Sequence, residues 1–179
     1  IQDSLVGSEM CIRDREVAGD QFGYAVSMND AGDRIVIGAN YNDGNGSNSG
    51  HVRVYDLVGT AWTQIGADIN GEAANDWFGS SISINGAGDR IIVGAPYNDG
   101  NGSTSGHVRV FDLVGTTWTQ VGADIDGETA GDAFGHAVSM NNTGDRIVVG
   151  AYLNDGNGNG SGHARVFDWN GTAWTQVGA

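Results

Sequence analysis

The sequence predicts an all-β protein of three similar four-stranded units, and three observations carry that expectation. The pair Phe-Gly recurs at Phe22-Gly23, Phe78-Gly79 and Phe134-Gly135, at a constant interval of 56 residues. Within each interval the apolar residues fall in four short runs separated by Asn, Asp and Gly, the composition of strands joined by turns. No segment shows the three-to-four-residue apolar spacing of an amphipathic helix.

The runs can be taken in order. Residues 25–29 (AVSMN) form the first strand of the first unit, matched by 80–85 and 137–141. The tight turns NDAGD, NGAGD and NNTGD follow, built from residues that tolerate positive φ. Residues 34–39 (RIVIGA), matched by RIIVGA and RIVVGA, are apolar at consecutive positions. A strand buried on both faces reads this way.

A polar, Gly-rich loop comes next, NYNDGNGSNSG in the first unit. Residues 51–57 (HVRVYDL) then alternate and form a third strand between two different environments. A second tight turn leads to residues 62–65 (WTQI), the fourth and outer strand. Trp62, Trp118 and Trp174 hold one repeat position there, where an aromatic covers an outer edge or packs between units. The linker ADINGEAAND crosses to the next unit. About twelve strands result. A unit of this size cannot cover both faces of its own sheet, so it needs neighbours.

The totals agree with a folded, acidic domain. Gly is 31 of 179 residues, against an ordinary ~7%, and its periodic placement marks turns. Formal net charge is −14, and the eight basic residues are all Arg. With no basic stripe to displace counterions, nucleic acid is not an expected partner. No apolar run reaches the ~18 residues of a membrane span, so membrane insertion is not expected.

Residues 1–15 fit none of the repeats. The stretch LVGSEMCIRDR resembles a translated transposase sequencing adapter and reads as a cloning or assembly scar. The only cysteine, Cys11, lies within it, so cysteine usage says nothing of redox compartment. The units are 16–71, 72–127 and 128–179. The third lacks only its last linker, and the natural termini are expected beyond both ends.

Each Phe-Gly is followed by a Gly-Ala: Gly38-Ala39, Gly94-Ala95 and Gly150-Ala151, with Pro96 completing Gly-Ala-Pro in the second unit. With GDR, NDGNG and SGH between them, these motifs resemble the FG-GAP repeat, the blade of integrin-alpha-type β-propellers, in a bacterial-style variant with a short first hairpin. The resemblance runs from Glu16 to the end. It implies a fragment of three four-stranded propeller blades, with further blades of the same chain expected. The alternative fold with three four-stranded units is a β-trefoil.

Candidate sites are few. Asp43, Asn45 and Ser47 place oxygen donors at alternate positions of one loop, Asp99, Asn101 and Ser103 repeat them, and Asp155 and Asn157 do so in part. Such a set can converge on Ca²⁺, a hard cation that takes oxygen ligands. The same residue types also make turns without an ion. The integrin-type Ca²⁺ site lies between the first and second strands in a longer loop. Only NDAGD stands there, so that site is not carried over. His51, His107 and His163 would bind zinc together only by converging on an axis, and structural hydrogen bonding is the favoured role. His136 replaces Tyr24 and Ser80. Arg34, Arg90 and Arg146, each after an Asp, read as closing the first hairpin. Several Asn-X-Ser/Thr triplets match the glycosylation sequon and carry little weight in a chain this rich in Asn.

No nucleophile, base and orienting acid occur as a set, and enzymatic activity is not expected. The resemblance implies a non-catalytic extracellular or cell-surface binding and adhesion module with a protein or glycan ligand. The alternatives are an accessory propeller of a larger secreted enzyme and a purely structural scaffold.

Overall fold

The computed structural model describes residues 17–178, so residues 1–15, read above as a scar, lie outside the described residues. Every regular element among those described is a strand. The first unit contributes Ala25–Met28 (β1), Arg34–Ala39 (β2), His51–Val58 (β3), Ala61–Gln64 (β4) and Ile69–Asn70 (β5). The second contributes Ser81–Ile84 (β6), Arg90–Ala95 (β7), His107–Val114 (β8), Thr117–Gln120 (β9) and Ile125–Asp126 (β10). The third contributes Ala137–Met140 (β11), Arg146–Ala151 (β12), His163–Trp169 (β13) and Trp174–Val177 (β14).

Each unit folds its own antiparallel sheet, with neighbours β1-β2-β3-β4, β6-β7-β8-β9 and β11-β12-β13-β14. Among the described residues no sheet mixes strands of two units, which is the arrangement of propeller blades and not of a trefoil. Two short strands add to the expected twelve. β5 and β10 pair with the first residues of β3 and β8, in the register Val52↔Ile69 and Val108↔Ile125. Two residues inside a polar linker give no periodic signal, so the sequence reading passed over them.

The first hairpin is closed by side chains. Asn29 Oδ1 accepts from the backbone N–H of Asp33 and Arg34, while Asn29 Nδ2 donates to Asp33 Oδ1 at 2.8 Å. The Asn29 amide, with Asp33, therefore does the closing, and not the Arg34 side chain. Arg34 reaches across to the third strand and donates through both Nε and Nη2 to Asp56, as Arg90 does to Asp112 and Arg146 to Asp168.

The sheets stack face to face with β1, β6 and β11 side by side. The first core lies between the first two sheets, with Val36, Val52 and Val54 against Ile82, Ile84, Ile91 and Val93. The second repeats it one blade on, with Ile92, Val108 and Val110 against Met140, Ile147 and Val149. Full burial of each such side chain stabilises by about 1.5–3 kcal/mol.

The two recurring motifs meet at these seams. A Cβ on Gly38 would lie 2.2 Å from Gly79 O, and one on Gly94 would lie 2.1 Å from Gly135 O. The Phe-Gly turn of one blade thus rests directly on the Gly-Ala of the blade before it. Trp118 Nε1 donates across the first seam to Ile65 O, and Trp174 Nε1 across the second to Val121 O, both at 3.2 Å. The repeated Trp packs between blades.

Candidate binding surface

Two turns meet at the N-terminal end of each innermost strand. The first carries Phe-Gly and is closed by Tyr24 N–H to Gln21 O, with Ser80 to Trp77 and His136 to Ala133 in the other blades. The second follows Gly-Ala and is closed by Asn42 N–H to Ala39 O, repeated by Asn98 and Asn154. A buried pair clamps the turns together. Asn42 Nδ2 donates to Asp20 Oδ2 at 2.8 Å, Asn98 to Asp76 at 3.0 Å and Asn154 to Asp132 at 2.9 Å.

The clamp residues are the same in all three blades, but the residues beside them in the turns are not. Gln21, Trp77 and Ala133 hold one variable position, of which Ala133 is buried, and Tyr24, Ser80 and His136 the next. Asn40, Pro96 and Tyr152 hold a third, where only Tyr152 is exposed, and Tyr41, Tyr97 and Leu153 a fourth. Aromatics dominate the result. Trp77 sits between Tyr41 and Tyr97, with ring centroids at 4.8 and 4.4 Å and edge-on geometry. His136 lies 4.3 Å from Tyr152. The Tyr97 phenol is pushed above its ordinary value, first by burial and then by Tyr152, Tyr24 and Tyr41.

Two local features accompany these turns. Gln21, Trp77 and Ala133 all have left-handed backbone, with φ of 57°, 57° and 53°. That region disfavours any residue with a Cβ, and such strain concentrates at functional positions. Asn40, next to Tyr41, is buried with neither amide atom partnered, an unusual state for a buried polar group. Sequence reasoning missed the surface. The available signal was disagreement, since these four positions vary in chemistry within otherwise matching repeats.

The NDGNG loops lie between β2 and β3, β7 and β8, and β12 and β13. Asp43 Oδ1 accepts from Asn48 N–H at 2.8 Å, with Asp99 and Asp155 doing the same for Thr104 and Gly160. Asn45 Nδ2 donates to Gly71 O and Glu72 O, and Asn101 to Gly127 O and Glu128 O, so these amides tie the loop to the linker. Each loop brings one carboxylate to the expected Ca²⁺ set, and one oxygen of it closes the loop itself.

The family model for the FG-GAP repeat matches residues 16–55, 70–111 and 121–167. The chain belongs to the FG-GAP repeat family. No curated protein matches this FG-GAP chain. Among solved structures it is similar to a putative 6-phosphogluconolactonase from Bacteroides uniformis, at 12% identity and TM-score 0.59, over 86% of this chain and 39% of that one. It is also similar to the hydrazine synthase of Kuenenia stuttgartiensis, at 13% identity and TM-score 0.54, over 93% and 38%. The FG-GAP chain thus spans about two-fifths of each, and at these identities the likeness concerns the fold.

The histidines stay with their own FG-GAP blades. His51 Nδ1 lies 3.9 Å from Asp68, His107 Nδ1 3.8 Å from Asp124 and His163 Nδ1 4.0 Å from Glu128. In the middle blade Glu72, His107 and Asp124 offer ligand atoms within 4.8 Å of one another. Arg109 stands beside them, 3.3 Å from Glu72 and 4.4 Å from the centre of the Phe78 ring. Burial pushes the His107 pKa down and Arg109 pushes it further. Arg109, paired with Glu72 and donating through Nη2 to Asn70 O at 2.8 Å, ties the linker to the blade beside this imidazole.

Proposed function

We propose that this FG-GAP chain is a non-catalytic binding module, working outside the cell or at its surface, and that its ligand docks on the aromatic surface around Trp77. The observation behind this reading is that Tyr41, Trp77 and Tyr97 gather at positions where the repeats differ, with Trp77 in left-handed backbone and the turns held by the same Asn–Asp clamp in every blade. Tyr and Trp supply rigid contact area with a polar tip, the chemistry of protein and glycan recognition. The acidic, Lys-free composition agrees with a secreted surface.

The test uses residues that the other repeats already carry. Trp77→Ala reproduces Ala133, and Tyr97→Leu reproduces Leu153, so both substitutions suit the blade. The double variant and the parent are compared on a glycan array and on an array of immobilised peptides, with thermal unfolding as the control for folding. The expected result is that array signals seen with the parent are lost in the variant, while the melting temperature changes little. Equal signals for parent and variant would sink the reading.

A further inference from the structure

Trp77 belongs to the middle blade, and the sheets of both neighbouring blades are in place beside its own. Trp77, Tyr41 and Tyr97 are each half-buried, so all three keep part of their surface open. The rings do not lie in one plane. Tyr41 stands at 72° to Trp77 and Tyr97 at 65°, which makes two corners of aromatic surface and no flat platform. A flat platform suits the broad face of a sugar ring. A corner turns two electron-rich ring faces towards one compact group, the arrangement that attracts a cation.

The charge around the corners has one sign. Asp76 immediately precedes Trp77, and its carbonyl oxygen accepts from Tyr97 N–H at 3.4 Å. Its carboxylate is only 3% exposed and accepts from Asn98 Nδ2 and Ala73 N–H, both at 3.0 Å. These donors are neutral and leave the negative charge standing. Asp76 acts electrostatically on Arg109, but the ion pair of Arg109 is with Glu72. Arg34, Arg53, Arg90, Arg146 and Arg165 are likewise paired with acids, and the chain has no Lys.

The kind of cation follows from the hydrogen bonds. A primary ammonium brings three N–H donors, and desolvating them without acceptors is costly. The Asp76 carboxylate is buried and already accepting, so it does not receive them. A quaternary ammonium has no N–H to satisfy and needs only ring faces and a negative field. We propose that the corners formed by Tyr41, Trp77 and Tyr97 bind a quaternary ammonium group, the group that heads choline and trimethylated lysine. This rests on the reading that the ligand docks around Trp77, and it names the group that docks.

The experiment titrates the parent with choline and follows the Trp indole N–H signals by NMR. Two comparison compounds separate charge from size: ethanolamine, the primary ammonium counterpart, and the uncharged alcohol in which carbon replaces the choline nitrogen. Choline is expected to bind with a dissociation constant of about a millimolar, and each comparison compound about tenfold more weakly or worse. Trp77→Ala and Tyr97→Leu should each weaken choline binding about threefold or more, with the melting temperature little changed. A peptide bearing one trimethyl-lysine is the second arm. Affinity about tenfold above that of choline marks a protein ligand, equal affinity marks a small solute, and either supports the proposal. Equal binding of choline and either comparison compound would overturn it, as would choline binding that survives both substitutions, or no binding of choline and peptide alike. The array comparison stays separate. Array signals lost in the double variant, with no binding of choline or the peptide, would keep the docking surface and reject the ammonium group.

Discussion

At the scale of single residues, the glycines of the Gly-Ala motif show how the repeat enforces its own spacing. Gly94 lies under the Phe-Gly turn of the third blade, where an added Cβ would meet Gly135 O at 2.1 Å and Ser81 Oγ at 2.3 Å. Neither the turn nor the strand can move without opening the seam. Overpacking of this kind typically costs ~1–3 kcal/mol, and a backbone obstacle puts Gly94→Ala at the upper end, about 3 kcal/mol. Gly150 occupies the same place in the third blade but meets nothing closer than 3.6 Å. Gly150→Ala should change stability by less than about 0.5 kcal/mol. Chemical denaturation of the two variants checks this, and equal losses would show that the cost arises within the strand and not at the seam.

At the scale of elements, the third strand of each blade is anchored to a linker by ionisable groups, and the anchor responds to pH. In β8 the buried His107 has its pKa lowered from 6.5, by burial first and by Arg109 second. The folded state therefore binds the proton less readily than the unfolded chain. This contribution is fully present above about pH 6.5 and is lost as pH falls from there towards the folded value. The loss approaches about 1.4 kcal/mol per pH unit for one such histidine. His107→Gln should flatten the melting-temperature profile between pH 6.5 and 5, and a profile as steep as the parent's would remove His107 from the account. The Asp68 carboxyl, lowered chiefly by its hydrogen bonds from Arg53, adds a separate loss at more acid pH. How much of this was legible in the sequence depends on the element. Strands β2, β7 and β12 were read at their bounds because their run of apolar residues is uninterrupted. The Arg34–Asp56 pairing was not, because its partner lies 22 residues on, and an adjacent Asp33 offered a nearer explanation. The linker strands β5 and β10 and the Asp20–Asn42 clamp were silent for the same reason: each is made by tertiary contact, and periodicity cannot register it.

At the scale of the whole molecule, the seams and the charge act against each other. The stack gains from every buried face, while a net charge of −14 repels itself. Any added salt screens that repulsion and should raise the melting temperature. A divalent ion screens more strongly, so a rise with Ca²⁺ alone says little about the NDGNG loops. Mg²⁺ carries the same charge but demands small octahedral geometry and gives up water reluctantly, whereas Ca²⁺ accepts irregular loops of oxygen donors. At equal ionic strength, then, loops that bind Ca²⁺ through Asp43, Asn45 and Ser47 and through Asp99, Asn101 and Ser103 must show a larger rise with Ca²⁺ than with Mg²⁺. Binding to the folded state alone stabilises by RT ln(1 + [L]/Kd), about 2.7 kcal/mol at a hundredfold excess over Kd. The variant Asp43→Asn with Asp99→Asn separates the ion from the turn. Asn keeps an oxygen to accept from the Asn48 and Thr104 N–H groups, so the loops should close as before. If the loops are Ca²⁺ sites, the excess response to Ca²⁺ disappears in this variant while the response to Mg²⁺ and to salt persists. If parent and variant respond alike to both ions, the carboxylates serve the loops as caps, and the stabilisation by divalent ions is screening of the acidic surface.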